Sequence, residues 1–99
     1  MLNITKTIDN TIETIILEGR LDTNTSSQLE PELNELAGIA TLIWDFEKLE
    51  YISSAGLRVL LSAQKKMNAQ GDMKIVHVCE AVMEILEVTG FTDILDIEQ

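Results

Sequence analysis

The chain has 99 residues, of which 45 % are hydrophobic and 24 % charged, a composition typical of one compact domain, and we interpret residues 1–99 as that domain. Its formal net charge of −10 argues against nucleic acid and anionic membranes as partners, because both attract clusters of Lys and Arg and repel carboxylates. No apolar run approaches the roughly 20 residues that cross a bilayer, and the single cysteine, Cys79, cannot form an internal disulfide, so we expect a cytoplasmic protein.

The first twenty residues predict a β-hairpin. Apolar and polar residues alternate over positions 2–8, and residues 12–17 are rich in β-branched side chains, as is typical of strands. Asp9 and Asn10, between the two runs, are residues that favour tight turns.

A helix is predicted between residues 23 and 37, where leucines recur at spacings of four and three. Gly38 follows at the position where a left-handed residue commonly ends a helix. Thr25 and Ser27 each begin a capping-box pattern, so the first residue of the helix stays open. Because Pro31 removes a hydrogen bond unless it lies in the first turn, we expect an irregular or kinked start.

The middle of the chain predicts a buried strand followed by an amphipathic helix. Residues 39–46 form a nearly continuous apolar run that includes Trp44, which is typical of a parallel central strand buried on both faces. From Ser54 onward apolar residues recur at helical spacing until Gly71, while Arg58 and two lysines fall on the opposite side.

The last third of the chain repeats this order. Residues 73–78 predict a strand, and His77 and Cys79 are expected on one of its faces, where packing is a better explanation than metal or thiol chemistry. A helix ending at Gly90 follows, and a short strand is expected within residues 91–97. The predicted fold is α/β: a mixed sheet of about four or five strands with an N-terminal hairpin, parallel central strands and about three helices.

Ser53 and Ser54 stand where the buried strand turns into the helix, and three explanations are open. A serine at the N-cap accepts a backbone N–H and is worth about 1 kcal/mol without further function. A nucleophile elbow would need G-x-S-x-G, but only Gly56 is present, and the single histidine, His77, has no evident route to the serine. A phosphate is favoured at a helix N-terminus by free N–H groups, and Arg58, one turn later, could pair with it.

These residues resemble the STAS domain in its small single-domain form, that of the bacterial anti-sigma factor antagonists. In the family's most recognisable element, a strand ending in an acidic residue is followed by a short loop, an apolar position and Asp-Ser-Ser/Thr-Gly-Leu at the start of a helix. Residues 45–57, DFEKLEYISSAGL, match it in spacing. The sequence GRLD at residues 19–22, with Thr25 after it, matches a second element. Residues 71–79 and the third helix are similar to the family's C-terminal half, so the resemblance covers essentially the whole chain.

The resemblance implies a partner switch. In the family, the unmodified antagonist binds an anti-sigma factor that is also a serine kinase and thereby frees the sigma factor. Phosphorylation of one serine breaks the complex, and a metal-dependent serine phosphatase restores it. The modified serine carries over to Ser54, with Ser53 as the alternative, and Asp22 matches a position of the kinase-binding surface.

Two residues depart from the family's motif, since Ser53 replaces its Asp and Ala55 replaces its second hydroxyl. Losing that carboxylate would either ease a second negative charge onto Ser54 or alter how the partner recognises the loop.

The implied protein is a binding module rather than an enzyme, without catalytic residues, cofactor or metal. Asp45, Glu47 and Glu50 lack the spacing of a calcium loop and are expected to form a solvated rim. The alternative is a STAS subunit of a larger transport or stress-sensing assembly, with serines that only cap the helix. The residues assigned to partner binding are Asp22, Thr25, Ser53, Ser54, Ala55, Gly56 and Arg58.

Overall fold

Strands and helices follow one another in the order typical of an α/β fold, as predicted. A computed structural model describes residues 2–98. The strands are β1 (Leu2–Asp9), β2 (Ile12–Leu21), β3 (Thr41–Ile52) and β4 (Asp72–Val76), the helices are α1 (Ser26–Leu29), α2 (Ser54–Asn68) and α3 (Glu80–Val88), and two 3₁₀ turns span Glu30–Glu35 and Phe91–Asp93. Within the described residues, no helix has the length and apolar character needed to span a membrane.

The four strands form one sheet in the order β1-β2-β3-β4. β1 and β2 are antiparallel with Asp9 paired to Ile12, and Asn10 in the two-residue turn between them has the left-handed conformation that tight hairpins favour (φ 58°). β2 and β3 are parallel, as are β3 and β4. The predicted hairpin and parallel central strands are confirmed, whereas the expected C-terminal strand is reduced to one bridge between Ile97 and Ile75.

The helix predicted between residues 23 and 37 is shorter than expected, although its irregular start was expected. α1 has four residues, and the 3₁₀ turn Glu30–Glu35 continues it. Pro31 lies at the start of that turn, where its missing N–H interrupts the α-helical hydrogen bonds. Neither predicted capping box forms, since Thr25 is the N-cap of α1 without a side-chain cap hydrogen bond and Ser27 Oγ donates to the carbonyl oxygen of Asn24.

The prediction that β3 is buried on both faces is wrong. Leu42, Trp44 and Phe46 point into the core and are fully buried, whereas Ile43 and Asp45 between them are partly exposed. Because the parallel strands follow one another in sequence, successive right-handed crossovers place their helices on the same side of the sheet. The outer face therefore remains half-exposed along β2, β3 and β4.

The segment between α2 and β4 approaches the backbone before β3 very closely. A Cβ on Gly71 would lie 1.8 Å from the carbonyl oxygen of Ala40, so only glycine fits there. The amide of Gln70 donates to the carbonyl oxygens of Leu36 and Ile39, both at 2.6 Å. These contacts fix the C-terminal end of α2 against the loop that precedes β3.

β4 is shorter than predicted, and this separates two residues that were expected on one strand face. The strand ends at Val76, and His77 then adopts a left-handed conformation (φ 59°). Cys79 is the N-cap residue of α3, and its Sγ lies 3.5 Å from the carbonyl oxygen of Leu49. The positive φ of His77 breaks the alternation of the strand, so the shared face does not exist.

Candidate functional site

Ser53 and Ser54 are placed differently at the start of α2. Ser53 is the N-cap residue, in an extended conformation, and its Oγ accepts the backbone N–H of Gly56 at 3.3 Å. Ser53 is only 9 % exposed. Ser54 is the first residue of the helix and its side chain is exposed. The capping role predicted for one of the serines therefore belongs to Ser53, and the Ser54 hydroxyl faces solvent.

The serine loop is attached to the end of β2. The backbone N–H of Ser53 donates to the carbonyl oxygen of Leu21 at 2.8 Å. A Cβ on Gly56 would lie 2.7 Å from Leu21 Cγ and 2.9 Å from Ile52 Cγ1, so the missing side chain allows the first turn of α2 to approach both strands. Gly56 is buried and contributes close packing rather than exposed surface.

Asp22 and Thr25 form a hydrogen-bonded turn after β2. Asp22 Oδ1 accepts the backbone N–H groups of Asn24 at 3.0 Å and of Thr25 at 2.9 Å. Thr25 Oγ1 accepts the backbone N–H of Asp22 at 2.8 Å and donates to the carbonyl oxygen of Arg20 at 2.7 Å. The hydrogen bond from the Thr25 N–H is the main reason that the pKa of Asp22 lies below its ordinary value. Thr25 is buried and shapes the turn, while Asp22 is held there as a carboxylate.

The two loops lie side by side. Leu21 and Ile52 are register partners in parallel strands, and the loops begin at the next residue of each strand. The residues predicted to bind the partner thus lie together at the C-terminal ends of β2 and β3. Arg58 lies one turn after Ser54 on the exposed side of α2, and Ala55 is half-buried between them.

Arg20 and Tyr51 flank the same loops but were not selected from the sequence. They are register partners two residues before the loops, and the Arg20 guanidinium carbon lies 4.4 Å from the centre of the Tyr51 ring. Both residues lie inside the matched motifs, which was the available signal, but their pairing depends on a strand register that the sequence does not reveal.

Asp45, Glu47 and His77 form a small polar group on another part of the surface. Asp45 Oδ1 accepts the backbone N–H of Glu47 at 3.0 Å and lies 3.2 Å from His77 Nδ1. In the part of the chain that the structure describes, no group of three or more His, Cys, Asp or Glu side chains is arranged to hold a metal ion.

Comparison with known proteins agrees with this geometry. A model of the STAS domain matches residues 3–99. The chain is 34 % identical over 84 residues to BtrV of Bordetella bronchiseptica, which is named as an anti-sigma factor antagonist, with 82 % of this chain and 72 % of BtrV covered.

Solved structures share the fold at low sequence identity. A Thermotoga maritima protein named as an anti-sigma factor antagonist has a TM-score of 0.88 and 17 % identity, over 97 % of this chain and 86 % of the other. Phosphorylated SpoIIAA of Bacillus has a TM-score of 0.73 and 17 % identity, over 100 % of this chain and 92 % of the other. The family match and the identity to BtrV confirm the resemblance: the chain belongs to the STAS domain family and is a relative of the bacterial anti-sigma factor antagonists.

Proposed function

We propose that this protein is an anti-sigma factor antagonist whose binding is switched by phosphorylation of Ser54. The unmodified form binds an anti-sigma factor that is also a serine kinase, and a serine phosphatase restores binding after modification, all within the cytoplasm. Support for the antagonist role comes from the identity of 34 % to BtrV. Support for a phosphorylation switch comes from the shared fold of SpoIIAA, a protein with a known phosphorylated form.

The observation that carries the proposal is the different placement of the two serines. A kinase reaches the exposed Ser54 hydroxyl without opening the fold. Ser53 is the poorer acceptor because its Oγ caps α2 and its side chain is buried. A phosphate on Ser53 would remove the cap and place a charge in a closed space.

The start of α2 is suited to hold a phosphate on Ser54. Helix N-termini stabilise anions by about 0.3–2 kcal/mol, and the first turn of α2 contains no acidic residue. Arg58 lies one turn away and provides a guanidinium that can pair with phosphate oxygens. The replacement of the family's Asp by Ser53 removes one like charge beside the modified serine, which lowers the electrostatic cost of a phosphate on Ser54.

Release follows from repulsion at the interface. A phosphoserine carries roughly two negative charges, and a kinase bound at this edge brings its own nucleotide phosphates close to Ser54. A penalty of about 1.4 kcal/mol weakens binding tenfold, and desolvated like charges cost more than that. The Asp22 carboxylate, which its turn holds charged, lies in the neighbouring loop and belongs to the proposed contact surface.

Binding measurements with Ser54 variants test the proposal. The probes are the anti-sigma factors of the same organism, each purified and titrated with unmodified protein by calorimetry. We expect one of them to bind the wild type and Ser54→Ala equally, to phosphorylate only the wild type, and to bind Ser54→Asp at least about tenfold more weakly.

Thr92→Asp is the matched control, because Thr92 is exposed on a different part of the surface and gains the same charge. Equal affinity of Ser54→Asp and wild type, or phosphate on a residue other than Ser54 by mass spectrometry, would contradict the switch. Binding to none of the anti-sigma factors would contradict the antagonist role and favour a subunit of a larger assembly.

A further inference from the structure

The exposed face of α2 is basic, although the protein as a whole is strongly acidic. Only seven of the residues are Lys or Arg against 17 Asp and Glu. Three of the seven, Arg58, Lys65 and Lys66, lie on the exposed face of α2 together with Ser62. The sequence of α2 contains no Asp or Glu, whereas that of α3 carries three glutamates and no basic residue.

These three side chains do not take part in the ion pairs found within residues 2–98. Favourable interaction with the helix dipole explains lysines in the last turn of α2. It does not explain Arg58, which lies near the positive end of the helix. The charges of this face are therefore available to a partner.

A groove runs beside the basic face. It has a volume of about 480 Å³ and separates α2 from α1 and the 3₁₀ turn after it. Ser62 and Lys66 line one wall, and Ser27, Glu30 and Asn34 belong to the other. Pro31 and Leu33 complete the lining, and the hydroxyl, amide and ammonium groups of the other residues suit a polar chain with hydrogen-bond acceptors.

We propose that the exposed face of α2, with this groove, binds an acidic segment of the partner protein. The proposal rests on the proposed function, because the partner is the anti-sigma factor. Its contact at Ser54 would continue along Arg58 to Lys65 and Lys66. A membrane or nucleic acid is a poorer occupant, because an extended anionic surface would also meet the remaining surface of a protein of net charge −10.

This arrangement gives phosphorylation a second effect. A phosphate on Ser54 would stand at the beginning of the basic face, pair with Arg58 and repel an acidic segment from it. The attraction that holds the partner and the repulsion that releases it then act on the same few residues.

Two charge-matched double variants test the proposal against the anti-sigma factor that binds the wild type. Lys65→Gln/Lys66→Gln removes two charges from α2, and Lys48→Gln/Lys74→Gln removes two exposed or half-exposed charges elsewhere. We expect the first pair to raise the Kd about tenfold and to reduce its salt dependence, with less than about a twofold effect of the second pair. Glu30→Gln is expected to lower the Kd, because it removes the one carboxylate that lines the groove.

A photo-crosslinking residue at position 62, with position 84 on α3 as the control site, identifies what occupies the face. Crosslinks from position 62 to a partner segment rich in Asp and Glu support the proposal. Equal effects of the two double variants, or crosslinks from position 62 to a segment without carboxylates, overturn the docking on α2 while leaving the antagonist role intact. Failure of every anti-sigma factor to bind the wild type would overturn both.

Discussion

Ser53 and Ser54 are neighbours in the chain, but one hydroxyl caps α2 and the other faces solvent. Replacing Ser53 by Ala removes the cap acceptor, so the free energy of unfolding is expected to fall by about 1 kcal/mol. Ser54→Ala is expected to change it by less than about 0.5 kcal/mol. Ser53→Asn is the control, because Asn caps as well as Ser and adds no charge. Urea unfolding of the three variants measures these differences, and equal losses for both alanine variants would contradict the assignment of the cap.

Glu13 is the most unusual residue of the core. It is 0 % exposed, and neither carboxylate oxygen has a hydrogen-bond partner. Burial raises the pKa of Glu13 above its ordinary value, and the carboxylates of Glu32 and Glu35 raise it further, whereas Lys6 lowers it. Lys6 itself pairs with Glu32 and Glu35, so it neutralises Glu13 only in part.

A pH-dependent stability follows from Glu13. The folded protein holds the Glu13 proton more tightly than the unfolded chain does. Glu13 therefore lowers the free energy of unfolding progressively as the pH rises from its ordinary pKa to its higher pKa in the folded protein. Above the folded pKa, this loss of stability stays constant. We expect Glu13→Gln to be more stable than the wild type at neutral pH, with a difference that shrinks as the pH falls through that window. Urea unfolding over the acid to neutral range measures it.

Glu18→Gln provides the control for Glu13, because Glu18 is exposed on the same strand. It removes the same charge without relieving burial, so its effect on stability should be small at every pH. A Glu13→Gln variant that is less stable than the wild type at neutral pH would show that the buried carboxylate has a stabilising partner.

At the scale of elements, helices cover only one side of the sheet, so neighbouring residues of β3 contribute differently to the free energy of unfolding. Leu42 is fully buried and Ile43 points to the half-exposed outer face. Leu42→Ala creates a cavity in the core and is expected to lower the free energy of unfolding by about 2–5 kcal/mol. Ile43→Ala is expected to lower it by about 1 kcal/mol, from lost partial burial and strand propensity. Urea unfolding measures both, and equal losses would show that the outer face is covered.

The same strand shows what the sequence could and could not predict. Alternation and turn residues identified the hairpin, and the serine pair identified the start of α2, because both signals are local. The continuous run around Trp44 did not distinguish a half-exposed from a buried outer face, since β-branched residues such as Ile43 suit either. The stacking of Arg20 on Tyr51 depends on register shifts between β2 and β3, which are set by tertiary packing.

The turn at Asp22 gives a further example at this scale. The motif assigned Asp22 and Thr25 to partner binding, but no local rule showed that Oδ1 of Asp22 accepts two backbone N–H groups. The left-handed conformation of His77 was equally hidden, because it follows from how β4 ends rather than from the identity of the residue. The two loops proposed to contact the partner were located from the sequence, whereas their internal hydrogen bonds required the structure.

At the scale of the whole molecule, the excess of acidic residues acts on stability through self-repulsion. The longest dimension is 32 Å, and the screening length falls from about 30 Å in 0.01 M salt to about 10 Å in 0.1 M salt. At low salt every charge therefore interacts with every other, and at higher salt only neighbours do.

Thermal unfolding at the two salt concentrations tests this whole-molecule effect. Screening relieves the repulsion among 17 acidic residues more than it weakens the few ion pairs, so we expect Tm to rise with salt. A rise of roughly 4–8 °C would correspond to an increase of about 1 kcal/mol in the free energy of unfolding. Glu84→Gln/Glu87→Gln, which removes two exposed charges from α3, should show a smaller rise. A Tm that falls with salt would mean that the ion pairs of Lys6 and Lys74 outweigh the repulsion.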